Sequence, residues 1–327
     1  MGFPDVRLRR LRRTAAIREM FDAAPPPLSK FVWPVFLVEG ENRAEPISSM
    51  PGQSRLSADA LLRALAPVVE QGARGVLLFG QTEGDKDDGG SGAFDDKGVV
   101  QCAVRLIKRE FPDLVVMTDV CLCAYTQHGH CGPLGRDGRV DNDAANGLLA
   151  RVAVSHAAAG ADVVAPSAMM DGQVAAIREA LAENGLEDTL LMSYSTKFAS
   201  SMYGPFRDAE NSSPSSGDRK GYQASYANLR VALRESQFDE AEGADILMVK
   251  PALFYLDVLA RLRDRTELPL AAYNVSAEYS MLHAAAEKGY GDMYAMARES
   301  LTAIDRAGAD IILSYWTPFY TRIFNQK

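Results

Sequence analysis

Four times in this chain a glycine and an alanine stand just ahead of an apolar run: Gly72-Ala73-Arg74, Gly160-Ala161-Asp162, Gly243-Ala244-Asp245 and Gly308-Ala309-Asp310. Glycine readily takes the left-handed conformation that closes a helix, so each phrase reads as a helix turning directly into a strand. The apolar runs that read as strands are Phe31–Val38, Val76–Phe79, Leu114–Val120, Val163–Ala165, Leu190–Tyr194, Ile246–Val249, Leu270–Val275 and Ile311–Tyr315. Most are apolar on both faces, as parallel strands covered by helices are. Amphipathic stretches lie between them: Ala58–Gln71, Ala144–Ala159, Gly172–Asn184, Leu256–Asp264 and Tyr294–Ala307. Eight β/α units in about 300 residues predict an α/β protein of the TIM (β/α)8 barrel class. A doubly wound sheet is the alternative, but no Gly-x-Gly-x-x-Gly follows an early strand to support nucleotide binding.

A chain of 327 residues, 47% of them hydrophobic, can bury a core of that size. Its formal charge of -8 argues against a dedicated nucleic-acid binder. No apolar stretch approaches the roughly 20 residues of a membrane span, and no signal-peptide core is visible, so the expectation is a cytoplasmic protein without a membrane partner. Residues 1–28, with the basic Arg7–Arg13 cluster and the Pro25–Pro27 break, are read as an N-terminal arm for subunit packing. Residues 29–327 are read as the catalytic barrel.

In such a barrel, chemistry sits at the C-terminal ends of the strands. The residues expected there are Asp119 with the following cysteines, Ser167, Lys197, Lys250, Tyr273, Ser276 and Tyr315. Lysine closes a buried strand poorly unless its amine is used. Burial or a neighbouring cation lowers an amine's pKa, and a neutral amine can attack a ketone to form a Schiff base. An ion pair is the alternative for each lysine; two at strand ends of one barrel suggest two carbonyl substrates held covalently. Tyr273, Ser276 and Tyr315 are candidate hydrogen-bonding or proton-transfer groups.

Cys121, Cys123 and Cys131 crowd one loop, with His128 and His130 between them. Thiolates suit zinc, and three protein ligands leave a fourth position open for water or substrate. A structural site would take a fourth ligand from either histidine, and unligated thiols are the remaining alternative. Cys102 stands alone and is expected in the core. Two long loops lie on the same rim. The first, 81–98, carries Asp85, Asp87 and Asp88 without calcium-loop spacing and reads as solvated. The second, about 204–221, carries Arg207, Arg219 and Lys220 and reads as a lid over an anionic substrate, or else as another solvated loop.

Four stretches carry a closer resemblance: Asp119-Val-Cys-Leu-Cys-Ala-Tyr-Thr-Gln-His-Gly-His-Cys-Gly132, Met192-Ser-Tyr-Ser-Thr-Lys-Phe-Ala-Ser200, Tyr203-Gly-Pro-Phe-Arg-Asp208 and Met248-Val-Lys-Pro251. Together they resemble the porphobilinogen synthase (5-aminolevulinate dehydratase) family, over nearly the whole chain. The resemblance implies a TIM barrel whose N-terminal arm embraces a neighbouring subunit, in homo-octamers, with dimers or hexamers as further states. It implies condensation of two 5-aminolevulinate molecules to porphobilinogen, with loss of two waters, in tetrapyrrole (heme) biosynthesis. Lys250 then matches the lysine of the first substrate, whose carboxylate would meet Ser276 and Tyr315. Lys197 matches that of the second substrate, whose carboxylate would meet Arg207, Arg219 and Gln223. Cys121, Cys123 and Cys131 match the zinc-type metal site, and Asp119 a neighbouring acid that assists proton transfer.

Three departures stand out against that pattern. Where the family typically reads Pro-Ser-Asp-Met-Met-Asp-Gly-Arg, this chain has Ala168 and Gln173 in place of the acid and the base. Ala277 stands where glycine is common, which raises the question of strain in that turn. Val231 falls at or next to the glutamate that many bacterial members use for an allosteric magnesium, so no such magnesium is expected. A Schiff-base aldolase for another keto substrate, and a degenerate homologue without activity, are the competing readings.

Overall fold

The computed structural model describes residues 2–84 and 86–325, so Asp85 of the first loop lies outside the described residues. After a short exposed helix, α1 (Ala15–Glu19), the chain enters β1 (Phe31–Leu37), every residue of which is buried. A hairpin of β2 (Ala44–Pro46) and β3 (Ser54–Leu56) follows. The repeats then run α2 (Ala58–Glu70), β4 (Gly75–Gly80), α3 (Val99–Glu110), β5 (Val115–Val120), α4 (Asn142–Ala158), β6 (Val163–Pro166) and α5 (Gln173–Glu183). Next come β7 (Leu190–Lys197), α6 (Gly204–Glu210), α7 (Leu229–Ala241), β8 (Ile246–Lys250) and α8 (Leu256–Arg263). The chain finishes with β9 (Leu270–Asn274), α9 (Ser276–Glu287), α10 (Met293–Arg306), β10 (Ile311–Ser314) and α11 (Tyr320–Phe324).

Eight strands, β1 and β4 through β10, pair in parallel in sequence order. The last returns to the first, with Phe31 opposite Ile312 and Val32 opposite Leu313, so the sheet closes into the predicted barrel. The helix-to-strand phrases turn as their glycines predict: Gly72, Gly160, Gly243 and Gly308 have φ of 108°, 105°, 101° and 113°. In three of them the alanine N–H donates to a carbonyl five residues back (Ala73 to Val68, Ala161 to His156, Ala244 to Asp239), which satisfies an otherwise orphaned helix carbonyl.

Two elements differ from the sequence expectation. The strand predicted to end at Tyr194 runs on to Lys197, through the buried Ser195 and Thr196. Polarity hides this extension from a reading of apolar runs, but Ser236 on α7 lies 3.0 Å from Ser195 Oγ and 2.7 Å from Thr196 Oγ1. The β2–β3 hairpin is half exposed and has no apolar run to announce it. It still reaches the barrel mouth, because buried Gln53 accepts the Trp33 indole N–H at 3.2 Å and donates to the Tyr315 carbonyl at 3.1 Å.

Cys102 corrects a further expectation. It is only partly buried, and its thiol donates to the Lys97 carbonyl at 3.4 Å. Helical spacing explains this: Val100, Ala103, Val104 and Ile107 fill the inward face of α3, and position 102 falls beside it. At the N-terminus, neither the turn Leu8–Arg12 nor α1 buries any residue against this chain, and Phe3, Leu8, Met20 and Phe21 are largely exposed. Among the described residues, no helix is long and apolar enough to cross a membrane.

Candidate active site

The two strand-end lysines are neighbours. Lys197 and Lys250 pair across β7 and β8 in the barrel sheet, and both are at least nine-tenths buried. The Lys197 amine donates to the Ser167 carbonyl, just past β6, at 2.5 Å. The Lys250 amine sits instead among aromatic rings, 4.1 Å from the centre of Tyr273, 4.7 Å from Phe206 and 5.0 Å from Tyr194. Ring faces favour a cation by about 0.5–2 kcal/mol each, which would keep the amine charged. Burial, and after it the neighbouring Lys197, outweigh them and bring Lys250 down to about 7, against the opposing pull of Asp119 and Glu210. Roughly half of an amine with such a pKa is neutral at pH 7, against less than about 0.1% of an ordinary lysine.

Asp119, next to last in β5, faces both lysines. Burial raises its pKa to about 6, although both ammonium groups pull it down. One of its oxygens is buried without a hydrogen-bond partner. A carboxyl poised near neutrality beside a poised amine can pass protons in either direction.

The cysteines follow the same strand. The Sγ atoms of Cys121, Cys123 and Cys131 lie within 4.8 Å of one another and all three residues are buried, with Cys121 and Cys123 in contact at 3.4 Å. Cys131 is held well below the usual thiol range, first by hydrogen bonds from Cys121 and Cys123, then by the Arg219 and Lys197 charges. Cys121 is pushed up, first by its hydrogen bonds with the other two sulfurs and then by burial. Three convergent soft donors, one of them already favoured as a thiolate, fit a thiophilic divalent metal. Neither histidine joins them among the described residues. His130 is taken up by the lid, with its ring nitrogens 3.0 Å from the Ser216 carbonyl and 3.2 Å from the Tyr222 hydroxyl. His128 Nδ1 accepts the His130 N–H at 3.1 Å. The histidine-completed structural site weighed from sequence is therefore not formed.

The segment read as a lid folds over this rim. Phe206 of α6 meets Phe79 edge-on at 5.0 Å, and its N–H donates to Ser276 Oγ at 2.9 Å. Arg219 donates to the carbonyls of Gly129 at 3.0 Å and Ser212 at 2.5 Å, tying the lid to the cysteine loop. That contact needs glycine at position 129: φ is 71°, and a Cβ would stand 2.6 Å from the Ser213 carbonyl oxygen. Arg207 is half-buried with its Nε unpartnered, and burial followed by repulsion from Arg219 lowers its pKa. Gln223 is buried with neither side-chain polar atom bonded. Two arginines and an unsatisfied amide, with no carboxylate paired to either guanidinium among the described residues, have the chemistry to receive an anion. Lys220 points away and pairs with Asp218 on the surface at 3.5 Å.

Further around the rim, in β9 and just past β10, the Tyr273 and Tyr315 hydroxyls meet at 3.1 Å. Ser276 lies there too, in contact with the lid helix. Ala277 causes no strain, since it lies in the first turn of α9 and not at positive φ. Gln173 is likewise accommodated. Its side-chain oxygen accepts the Met170 N–H at 3.3 Å and closes the turn in which Met169 has φ 63°.

Sequence reading assigned no role to Glu210, to Tyr203 within its motif, or to Phe206 and Tyr194 of the aromatic enclosure. Tyr203 donates to the Lys250 carbonyl at 3.0 Å and fixes the strand end. Glu210 is buried 3.8 Å from Cys123 Sγ. It lies two residues past the Tyr203–Asp208 motif, and its proximity to the cysteines exists only in three dimensions.

Residues 5–323 match the family model for delta-aminolevulinic acid dehydratase. The chain is 49% identical over 316 residues to the delta-aminolevulinic acid dehydratase of Synechococcus elongatus, covering 96% of this chain and 97% of that one. It is 51% identical over 320 residues to the enzyme of that name from Methanothermobacter thermautotrophicus, covering 97% of each. The delta-aminolevulinic acid dehydratase (porphobilinogen synthase) of Toxoplasma gondii, solved with its reaction product porphobilinogen, superimposes with a TM-score of 0.94 at 42% identity, covering 97% of this chain and 91% of that one. On barrel, site and sequence together, the chain belongs to the delta-aminolevulinic acid dehydratase family.

Proposed function

We propose that this enzyme joins two molecules of 5-aminolevulinate into porphobilinogen, releasing two waters, and that Lys250 and Lys197 each hold one substrate ketone as a Schiff base. The observation that carries this reading is the in-register lysine pair, with one amine lowered to about 7 beside Asp119. Each ketone loses its oxygen as water when the lysine imine forms. Loss of a proton next to one iminium gives an enamine carbon that attacks the other substrate. The amine of one substrate closes the ring and a final proton loss makes it aromatic. As the imines are resolved, both lysines are released.

Asp119, on which both ammonium charges act, serves as the acid–base group. Arg207, Arg219 and Gln223 receive the carboxylate of the Lys197-bound substrate. Ser276, Tyr315 and Tyr273 orient the Lys250-bound one, and Ser167 positions the Lys197 amine. Cys121, Cys123 and Cys131 would hold zinc, which supplies Lewis-acid polarisation at the second substrate when bound. The barrel contributes proximity, because two identical small molecules must meet in one orientation. The exposed apolar residues of the first 28 positions support their role as a subunit-packing arm in a homo-octamer, and a cytoplasmic location is consistent with the chain.

Purified protein supplied with 5-aminolevulinate and zinc is expected to form porphobilinogen, detected by Ehrlich reagent. Borohydride trapping should attach substrate to Lys250. No product with zinc restored would overturn the activity, while full activity after rigorous chelation would remove only the metal from the scheme.

A further inference from the structure

The last residue of the lid helix is a buried glutamate that makes no direct ion pair, although Arg219 and Lys250 lie near enough to act on it. Glu210 is 3% exposed, and among the described residues no lysine, arginine or histidine pairs with it. An isolated buried carboxylate is costly, so such groups are paired, protonated or bound to a metal. Its nearest chemical neighbour is Cys123, with Glu210 Oε2 3.8 Å from the sulfur. Ligands about 2.3 Å (sulfur) and about 2.1 Å (oxygen) from a tetrahedral zinc stand about 3.6 Å apart, so this separation approximates one edge of a shared coordination polyhedron.

The backbone holds the carboxylate in this place. Arg55 donates to the Asp208 and Ala209 carbonyls at 2.8 and 2.7 Å, and Gln81 also donates to the Ala209 carbonyl. Asn211 then ends α6 in the left-handed conformation, so Glu210 is the last helical residue before the chain turns away. The three sulfurs lie within 4.8 Å of one another, whereas Glu210 comes close to Cys123 alone. No Glu210 oxygen lies within that distance of all three sulfurs, so the carboxylate stands outside the set in this structure and would join it from the lid side.

We infer that Glu210 is a fourth, exchangeable metal ligand, carried by the lid helix and completing the site formed by Cys121, Cys123 and Cys131. This rests on the proposed reading of the cysteines as a metal site. Oxygen binds a thiophilic metal less firmly than thiolate does, so the carboxylate is the ligand that yields to substrate. It fills the open position between turnovers, and because α6 also carries Phe206 and Arg207, ligand exchange is coupled to how the lid sits on the substrate.

The test uses the full chain, stripped of metal and titrated with cobalt(II) as the spectroscopic probe. The wild type is expected to show thiolate-to-cobalt absorption with tetrahedral d–d bands. Glu210→Gln and Glu210→Ala should bind cobalt about 10- to 100-fold more weakly. Imidazole, added as an outside ligand, should bind the cobalt forms of both variants more tightly than the wild type, since it no longer competes with the carboxylate. Unchanged cobalt affinity in both variants overturns the inference. So does weaker cobalt binding with unchanged imidazole affinity, which marks a merely supporting role. Absence of thiolate–cobalt absorption in the wild type overturns the metal reading itself.

Discussion

Lys197 and Lys250 are paired across neighbouring strands, yet one amine is hydrogen-bonded to a backbone carbonyl and the other is enclosed by aromatic rings. The same residue type, at the same height on the rim, thus has two environments. That asymmetry matches a reaction in which two identical molecules must play different parts.

The ring enclosure makes Lys250 a group whose removal separates function from stability. Lys250→Met places an apolar chain of similar length among Phe206, Tyr194 and Tyr273. We expect turnover to fall by about 10⁴-fold or more and the melting temperature to hold or rise by a few degrees, since a buried amine is replaced by an apolar chain. A melting temperature more than about 5 °C lower would show that the amine has a structural role we have not assigned.

The acid–base groups set the pH response. In the proposed scheme Schiff-base formation needs the neutral Lys250 amine, so single-turnover trapping should rise with pH through about 7 and level off above it. A rate limited by donation from protonated Asp119 would instead fall as pH passes about 6. Rapid-quench borohydride trapping at several pH values isolates the first limb. If trapping is flat between pH 6 and 9 (about three units around the Lys250 value), the amine is not the titrating group.

The two lid arginines should behave differently. Arg207 has free donors, so Arg207→Gln is expected to raise KM about 10- to 100-fold, the worth of a charge-assisted hydrogen bond, with a smaller effect on kcat. Arg219 also holds the Gly129 and Ser212 carbonyls, so Arg219→Gln should lower kcat as well and increase proteolysis of the lid. Steady-state kinetics with limited proteolysis discriminates the two; identical profiles would contradict this division.

Ser236 lies outside the site but supports the strand that carries Lys197. Ser236→Ala leaves the buried hydroxyls of Ser195 and Thr196 without that partner, and a loss of about 1–3 kcal/mol is expected in denaturant unfolding. A change below about 0.5 kcal/mol would mean the two hydroxyls find other acceptors.

The barrel was legible because its signals are local. A glycine closing a helix and an apolar run buried on both faces need no distant information, and all eight barrel strands lie within a few residues of their predicted positions. The lysines were legible as polar exceptions at the ends of such runs. Ser195 and Thr196 were not, because the hydroxyl that satisfies them is about 40 residues away on α7. The Lys250 amine is lowered by burial and by Lys197, inside an enclosure of Phe206, Tyr194 and Tyr273 from three separate segments, so no window of sequence contains it. Cys102 differs from its expectation because residue type suggested a core position that the direction of the side chain withheld.

The seam of the barrel has a consequence for how the molecule is made. Phe31 and Val32 pair with Ile312 and Leu313, so the first barrel strand cannot complete its pairing until the last has been synthesised. At translation rates of about 5–20 residues per second, β1 waits at least about 14 seconds for β10. During that interval one edge of β1 is open, and its neighbours on the other side must shield it. Chains shortened before β10 keep both lysines, yet they retain that open edge, and aggregation or degradation is their expected fate.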